Sequence, residues 1–309
     1  MNPNGSLKTI IEDIITKRKN PVLVLNIKEI TKFVSLNIYH LLQGKKFDEL
    51  DVILLTPGGD IDAAFVITKI LRKKAKILNV IIPLFAKSAG TLICLSADNI
   101  IMNDLSELGP LDSQIPEVQD GGNVRYVSAL NGFKALEQVQ QHTVETLDIV
   151  IKLLLERSNI KVSEAISLST EFSGKTSGTL YSKMDPNKIG EYARALEIGE
   201  KYGIIILTRY KEWQQKEAED VITTLVKKYP SHGFVIDMEE LCNLGFPAKM
   251  ASDTLAEQMV ALKDELLKDG LNSDIIQLFD VPSEKKETEK LSPESLEKKE
   301  EAINNSNKK

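Results

Sequence analysis

Two short apolar runs in the first third of the chain each give way to a tight glycine-containing turn and then to a helical pattern. Asp51 to Leu55 (DVILL) ends in Thr56-Pro57-Gly58-Gly59-Asp60, and Ile77 to Pro83 is followed by Ala86-Lys87-Ser88-Ala89-Gly90-Thr91. Pro-Gly-Gly directly after an apolar run is a strong turn signal. A unit of strand, turn and helix used twice in succession restricts the chain to a layered α/β fold. In a parallel sheet both turns open at the C-terminal edge of neighbouring strands, where sites are usually built.

The surrounding sequence extends the alternation. Residues 4–18 and 29–43 have helical spacing, and Pro21 to Ile27 (PVLVLNI) is a continuous apolar run of the kind that fills a buried strand. The segment 61–74 is amphipathic and ends in Arg72, Lys73 and Lys74, which suit a helix C-terminus. Residues 87–97 are small and apolar and read as a buried helix, and Asn99 to Met102 as a fourth strand. The second half is expected to be largely helical. Helices are predicted over 128–157, twice within 186–228, briefly over Met238 to Gly245 and again over 249–280, with Tyr229 to Asp237 (YPSHGFVID) as an interruption. A single domain over 1–282 is expected, with a helical insertion at about 128–172. Residues 283–309 carry seven Lys and seven Glu and no aromatic residue. Such a composition buries too little apolar surface to offset its chain entropy, so a disordered tail is expected there.

Composition removes several function classes. The balance of 39 basic against 45 acidic residues leaves a net charge of −6, with no excess to drive nucleic-acid binding. Two cysteines, Cys94 and Cys242, exclude a disulfide scaffold, and three histidines make a zinc site an unfavoured reading. No run of about 18 apolar residues is present, so no membrane span is expected. The N-terminal segment has no apolar core of the signal-peptide kind. A cytoplasmic location and no cofactor are the matching expectations.

The chemistry concentrates at the two turns. A serine at a strand-to-helix junction can hold its hydroxyl clear of the backbone, and Ala89 and Gly90 let a substrate chain come close. Amides opening the next helix lack intrahelical partners and can face an oxyanion. The alternative is that both are plain turns. The G-x-S-x-G elbow is absent, which sets aside the α/β-hydrolase fold.

The runs LLTPGGDIDAA, PLFAKSAGTLICLSADNIIM and SELGPLDSQ resemble the Clp-protease/crotonase superfamily. Within it the sequence is similar to the serine dehydrogenase proteinase family, relatives of signal peptide peptidase A. The runs SGKTSGTLYSKMDPNKIGEYARAL, EKYGIIILTRY and YPSHGFVIDMEELCNLGF follow the same order. The resemblance implies a layered core of ββα units and hydrolysis of peptide or protein substrates through an acyl-enzyme on Ser88. It also implies an oxyanion hole from the amides of Gly59 and Ala89, substrate contact at Gly58 and Gly90, and assembly into homo-oligomers. The apolar positions Leu147, Ile151, Leu154 and Leu155 of the long helix suit such a contact.

The general base stays open among three readings. His232 is of the right class near neutral pH, and Asp112 in GPLDSQ falls close to where Clp-type subunits carry their histidine, so Asp112 would orient His232 in a swapped arrangement. In signal peptide peptidase A the nucleophile pairs with a lysine, and GTLYSKMDP loosely resembles that stretch, which points to Lys183, with Lys175 as a substitute. A lysine base needs burial to lower its pKa. The third reading is a degenerate site. The competing functions are a crotonase-type acyl-CoA enzyme, in which a serine at position 88 has no role, and an inert scaffold that binds peptides or proteins.

Overall fold

The computed structural model describes residues 3–112, 114–118, 122 and 124–282; the charged segment from 283 onward lies outside the described residues. The first part alternates: α1 (Pro3–Arg18), β1 (Val22–Asn26), α2 (Lys32–Leu41), β2 (Phe47–Leu55), α3 (Ile61–Lys74) and β3 (Ala75–Ile81). Then come β4 (Phe85–Ala86), α4 (Ala89–Cys94), β5 (Asn99–Met102), β6 (Glu107–Leu108) and a hairpin of β7 (Gln114–Val118) and β8 (Val124–Ser128). Four helices follow, α5 (Ala129–Arg157), α6 (Val162–Tyr181), α7 (Pro186–Tyr210) and α8 (Gln215–Thr223), the last continued by a π-helical turn over Thr224–Lys228. The chain closes with α9 (Met238–Asn243), β9 (Ala248–Met250), α10 (Asp253–Leu266) and β10 (Ile275–Phe279).

The main sheet has the order β10-β1-β2-β3-β5-β9. Strands β1, β2, β3, β5 and β9 are parallel, and β10 caps the β1 edge in antiparallel register, with Val22 opposite Phe279. Both faces are covered, which is why its strands read as unbroken apolar runs. Leu23, Leu25, Val52, Leu54 and Val80 join one core with residues of α2, α3 and α4, while Val22, Val24, Ile53, Leu55 and Ile81 join a second with α1 and α10. The period-two split between the two lists follows from the pleat, which sends successive side chains to opposite faces. Helix α3 starts as its sequence dictates: the Asp60 carboxylate accepts from the amides of Asp62 and Ala63.

Three readings of the sequence differ from the structure. Residues 249–280 are not helical throughout, because Ile275–Phe279 leaves α10 after a turn and joins the sheet. The helical insertion expected at about 128–172 runs further, as α6 continues to Tyr181 through a stretch rich in Ser, Thr and Gly. The hydroxyl-bearing stripe Ser169, Ser173 and Ser177, together with Ala165, is buried, and small side chains there let α6 lie close along α5. The Ser88 turn follows not β3 but the short β4, which pairs with β6 outside the main sheet.

Asp51 at the entry to the buried part of β2 is fully buried. Arg18 grips both its oxygens, one through Nε and the other through Nη2 at 2.9 Å, and Asn20 and Asn79 add donors at 3.2 and 2.6 Å. Removing one member of a buried pair leaves the others unpaired. Asp51→Ala is therefore expected to lower unfolding free energy by about 3 kcal/mol, read as an earlier urea midpoint. An unchanged midpoint would show that the cluster contributes nothing to stability.

Candidate active site

The two glycine turns meet at the C-terminal edge of the sheet. Thr56 and Ala86 form a parallel bridge, with Thr56 N donating to Phe85 O at 3.1 Å and Lys87 N to Thr56 O at 3.0 Å. Gly58 packs on the Ser88 turn so closely that a Cβ there would meet Lys87 O and Ser88 Cβ at 3.0 Å. Gly59 has φ +141, and a Cβ on it would sit 2.4 Å from Ile30 O. A Cβ on Gly90 would sit 2.6 Å from Thr56 Cγ2. Each of these glycines is thus required by a close approach of chain to chain.

Ser88 occupies φ 50, ψ −116, a conformation that costs a non-glycine residue roughly 1–3 kcal/mol and persists only where the surroundings enforce it. The surroundings here are Gly58 on one side and Thr91 on the other. Thr91 Oγ1 lies within 2.9 Å of both Ala86 O and Gly109 O, which share its single proton, and ties α4 to the segment leading to Asp112. The amides of Gly59 and Ala89 donate to no acceptor among the described residues, whereas Gly58 N donates to Thr56 Oγ1 and Gly90 N to Lys87 O.

Asp112 is fully buried. Its Oδ1 accepts from Leu130 N at 3.0 Å and its Oδ2 from Ser128 Oγ, both at the start of α5. His232 Nδ1 lies 3.4 Å from the same Oδ2 and makes no hydrogen bond among the described residues. Ser88 Oγ donates to the backbone carbonyl of Asp112 at 3.1 Å. Ser88 and His232 line one cavity of about 570 Å³ together with Lys28, Glu29, Pro57, Gly58, Gly59, Asp60, Lys87 and Gly233.

The loop bearing His232 is held from several directions. Leu108 and Ile236 form an antiparallel bridge with bonds of 2.9 and 3.1 Å. Lys134 Nζ donates to Tyr229 O at 2.6 Å, and the rings of Tyr229 and Phe234 stack at 4.7 Å. Burial and then the bond to Glu240 push the Tyr229 phenol pKa up, so it remains a donor, at 2.6 Å from that carboxylate. The π-helical turn contributes as well. The residue five beyond Leu225 is Pro230, which has no N–H, and Leu225 O instead accepts from Leu111 N at 2.9 Å. That bond seats the residue preceding Asp112.

The lysines stand elsewhere. Lys183 is exposed in the turn after α6, and Lys175 is exposed on α6 and paired with Glu171 at 2.6 Å. Neither lines the cavity, and neither has the burial a lysine base requires. Lys87 does line it, but its amine is 3.0 Å from Glu107 and donates to Leu108 O. Sequence reasoning missed Ser128 and Lys134. Ser128 stands one residue before a helical pattern, the ordinary N-cap signal, and its Oγ does accept from Asn131 N at 3.0 Å.

The parallel sheet, the two glycine turns and the buried serine define a chain of the Clp-like α/β class. A profile of the ClpP-like SDH-type serine proteinases matches residues 8–164, and the chain belongs to that family. It is 37% identical over 110 residues to the uncharacterized protein MJ0137 of Methanocaldococcus jannaschii, covering 36% of this chain and 37% of that protein. It is 36% identical over 106 residues to the uncharacterized protein MJ1495 of the same organism, covering 34% of each. The chain thus spans about a third of the length of these curated relatives. Among solved structures it is similar to a membrane-bound stomatin-specific protease, with 19% identity, TM-score 0.29, and coverage of 48% of this chain and 68% of that one. It is also similar to ClpP1 of Listeria monocytogenes, with 9% identity, TM-score 0.37, and coverage of 79% and 98%. No helix among the described residues is long and apolar enough to cross a membrane.

Proposed function

We propose that this chain is a serine peptidase in which Ser88 attacks the peptide carbonyl and His232 takes its proton. The observation that carries the reading is the His232 Nδ1 to Asp112 Oδ2 approach of 3.4 Å beside the Ser88 hydroxyl. With Nδ1 turned to Asp112, Nε2 is the nitrogen left to serve as base and later to protonate the leaving amine. Asp112 orients the imidazole and stabilises its cationic form. The amides of Gly59 and Ala89 have no acceptor among the described residues and supply the oxyanion hole. Ser88 Oγ rests on Asp112 O, and the proposed attack requires the hydroxyl to leave that carbonyl for His232 across the shared cavity. Catalytic hydrogen bonds are often unformed before substrate arrives. Peptides, a cytoplasmic setting and self-assembly complete the reading.

The scaffold alternative draws on the same resting contact, since a serine that never leaves Asp112 O is not a nucleophile. A fluorophosphonate probe decides, because it modifies only an activated serine hydroxyl. Labelling is expected at Ser88, located by peptide mass spectrometry and absent in Ser88→Ala. Lys183→Ala and Lys175→Ala are expected to label at the wild-type rate. A folded wild type that never labels would refute the peptidase reading, and loss of labelling in Lys183→Ala would move the base to lysine.

A further inference from the structure

Among the described residues, the hydrogen bonds to the Asp112 carboxylate come from the start of α5. Leu130 N binds Oδ1 at 3.0 Å and Ser128 Oγ binds Oδ2, the oxygen that faces His232. Ser128 has one hydroxyl proton. Its lone pair accepts from Asn131 N, as an N-cap should, so the proton is committed to Asp112. The hydroxyl therefore joins two structures, the helix start and the carboxylate.

From this arrangement we infer that Ser128 is a positioning residue for the proposed proton transfer, acting on His232 through Asp112. The inference rests on the peptidase reading. Two donors on opposite oxygens fix the plane of a carboxylate, and charge-assisted bonds are the stronger kind. With Ser128 absent, Leu130 N is the one hydrogen-bond donor left among the described residues. The carboxylate is then free to turn about its χ2, and Oδ2 no longer keeps a fixed direction to Nδ1. The 3.4 Å approach leaves little tolerance for that motion. Ser128 is itself buried, at 7% exposure, so water does not readily replace its hydroxyl. Helix α5 thereby does more than fill an insertion: its first turn is part of the site's framework, and its amide dipoles favour the carboxylate charge.

The cap role and the positioning role separate by experiment. Rates of Ser88 modification by a fluorophosphonate are measured for wild type, Ser128→Ala, Ser128→Gly, Ser128→Thr, Asp112→Asn and the double variant Ser128→Gly with Asp112→Asn. Glycine is tolerated at N-cap positions but has no hydroxyl, so Ser128→Gly removes the Asp112 contact with little effect on the helix. Both Ser128→Gly and Ser128→Ala are expected to slow modification on the order of 10- to 100-fold, the scale of a small misplacement at a reacting centre. Ser128→Thr keeps a hydroxyl and is expected to restore most of the rate. In the Asp112→Asn background, Ser128→Gly is expected to change the rate less than about twofold, since residues that act as one unit are not additive. Wild-type rates in Ser128→Gly would overturn the inference and leave the peptidase reading standing. So would equal losses in the two backgrounds, which mark a purely structural cap. Absence of modification in folded wild type would overturn both.

Discussion

His232→Ala is expected to slow fluorophosphonate modification of Ser88 by roughly 10²- to 10⁴-fold, the usual contribution of a positioned general base. Its thermal midpoint should stay close to wild type. The two halves of that expectation have separate causes. The imidazole is partly exposed at 23%, and among the described residues its Nδ1 makes no hydrogen bond, with Asp112 Oδ2 3.4 Å away, so truncation removes little packing and no short hydrogen bond. Substitutions of that kind shift stability by about 1 kcal/mol or less. Asp112→Ala makes the contrast. It leaves Leu130 N and Ser128 Oγ without their acceptor in a fully buried place, so it should lower both the rate and the midpoint. A His232→Ala protein that labels like wild type would remove histidine from the mechanism, whatever the distances.

The second large effect falls on a residue without a side chain. Gly59→Ala is expected to cost about 3 kcal/mol or more in stability, or else to displace the turn. An added Cβ would lie 2.4 Å from Ile30 O and 2.5 Å from Ile30 N, and backbone atoms of a bridged residue have nowhere to go. The φ of +141 adds strain for any L side chain. Because the proposed oxyanion donor belongs to this residue, modification of Ser88 should fall by about 10²-fold or more even in molecules that fold. Gly44→Ala is the comparison: its φ is +74 but open space surrounds it, so a cost of only about 1–2 kcal/mol is expected. Similar losses for the two variants in chemical denaturation would contradict the steric argument.

Much of this framework was legible in the sequence where one physical signal dominated. The strands buried on both faces showed as apolar runs, and α3 announced both its ends through Asp60 and the closing basic residues. The turns declared themselves because Pro57 cannot continue a strand ladder, and Gly58 and Gly59 reach the positive φ that other residues avoid. The misreadings have specific causes. Ile275–Phe279 is a five-residue apolar run, too short for its period to distinguish strand from helix, and only its pairing with β1 decides. The expected end of the insertion near 172 falls short of Tyr181 because the last turns of α6 are rich in residues of poor helix propensity, and burial of Ser173 and Ser177 overrides that preference. Lys183 matched a pattern of residues around it, but a pattern does not convey that the following turn is exposed. His232 and Asp112 are separated by 120 positions, and nothing local to either records that the bridge between Leu108 and Ile236 brings their segments together.

The π-helical turn at Thr224–Lys228 has a meaning in terms of chain length. Such a turn is an α-helix carrying one residue more than its repeat accommodates. Deleting a single residue from the regular helix α8 before it would rotate this turn and everything beyond by about 100°. Leu225 O would then turn from Leu111, and the loop from Tyr229 onward would leave its seat beside Glu240 and Lys134. Substitutions here are tolerable wherever size is kept, but a change of length is not. Among descendants of one ancestor, the count of residues between α7 and His232 should therefore drift far less than the identities of the residues counted.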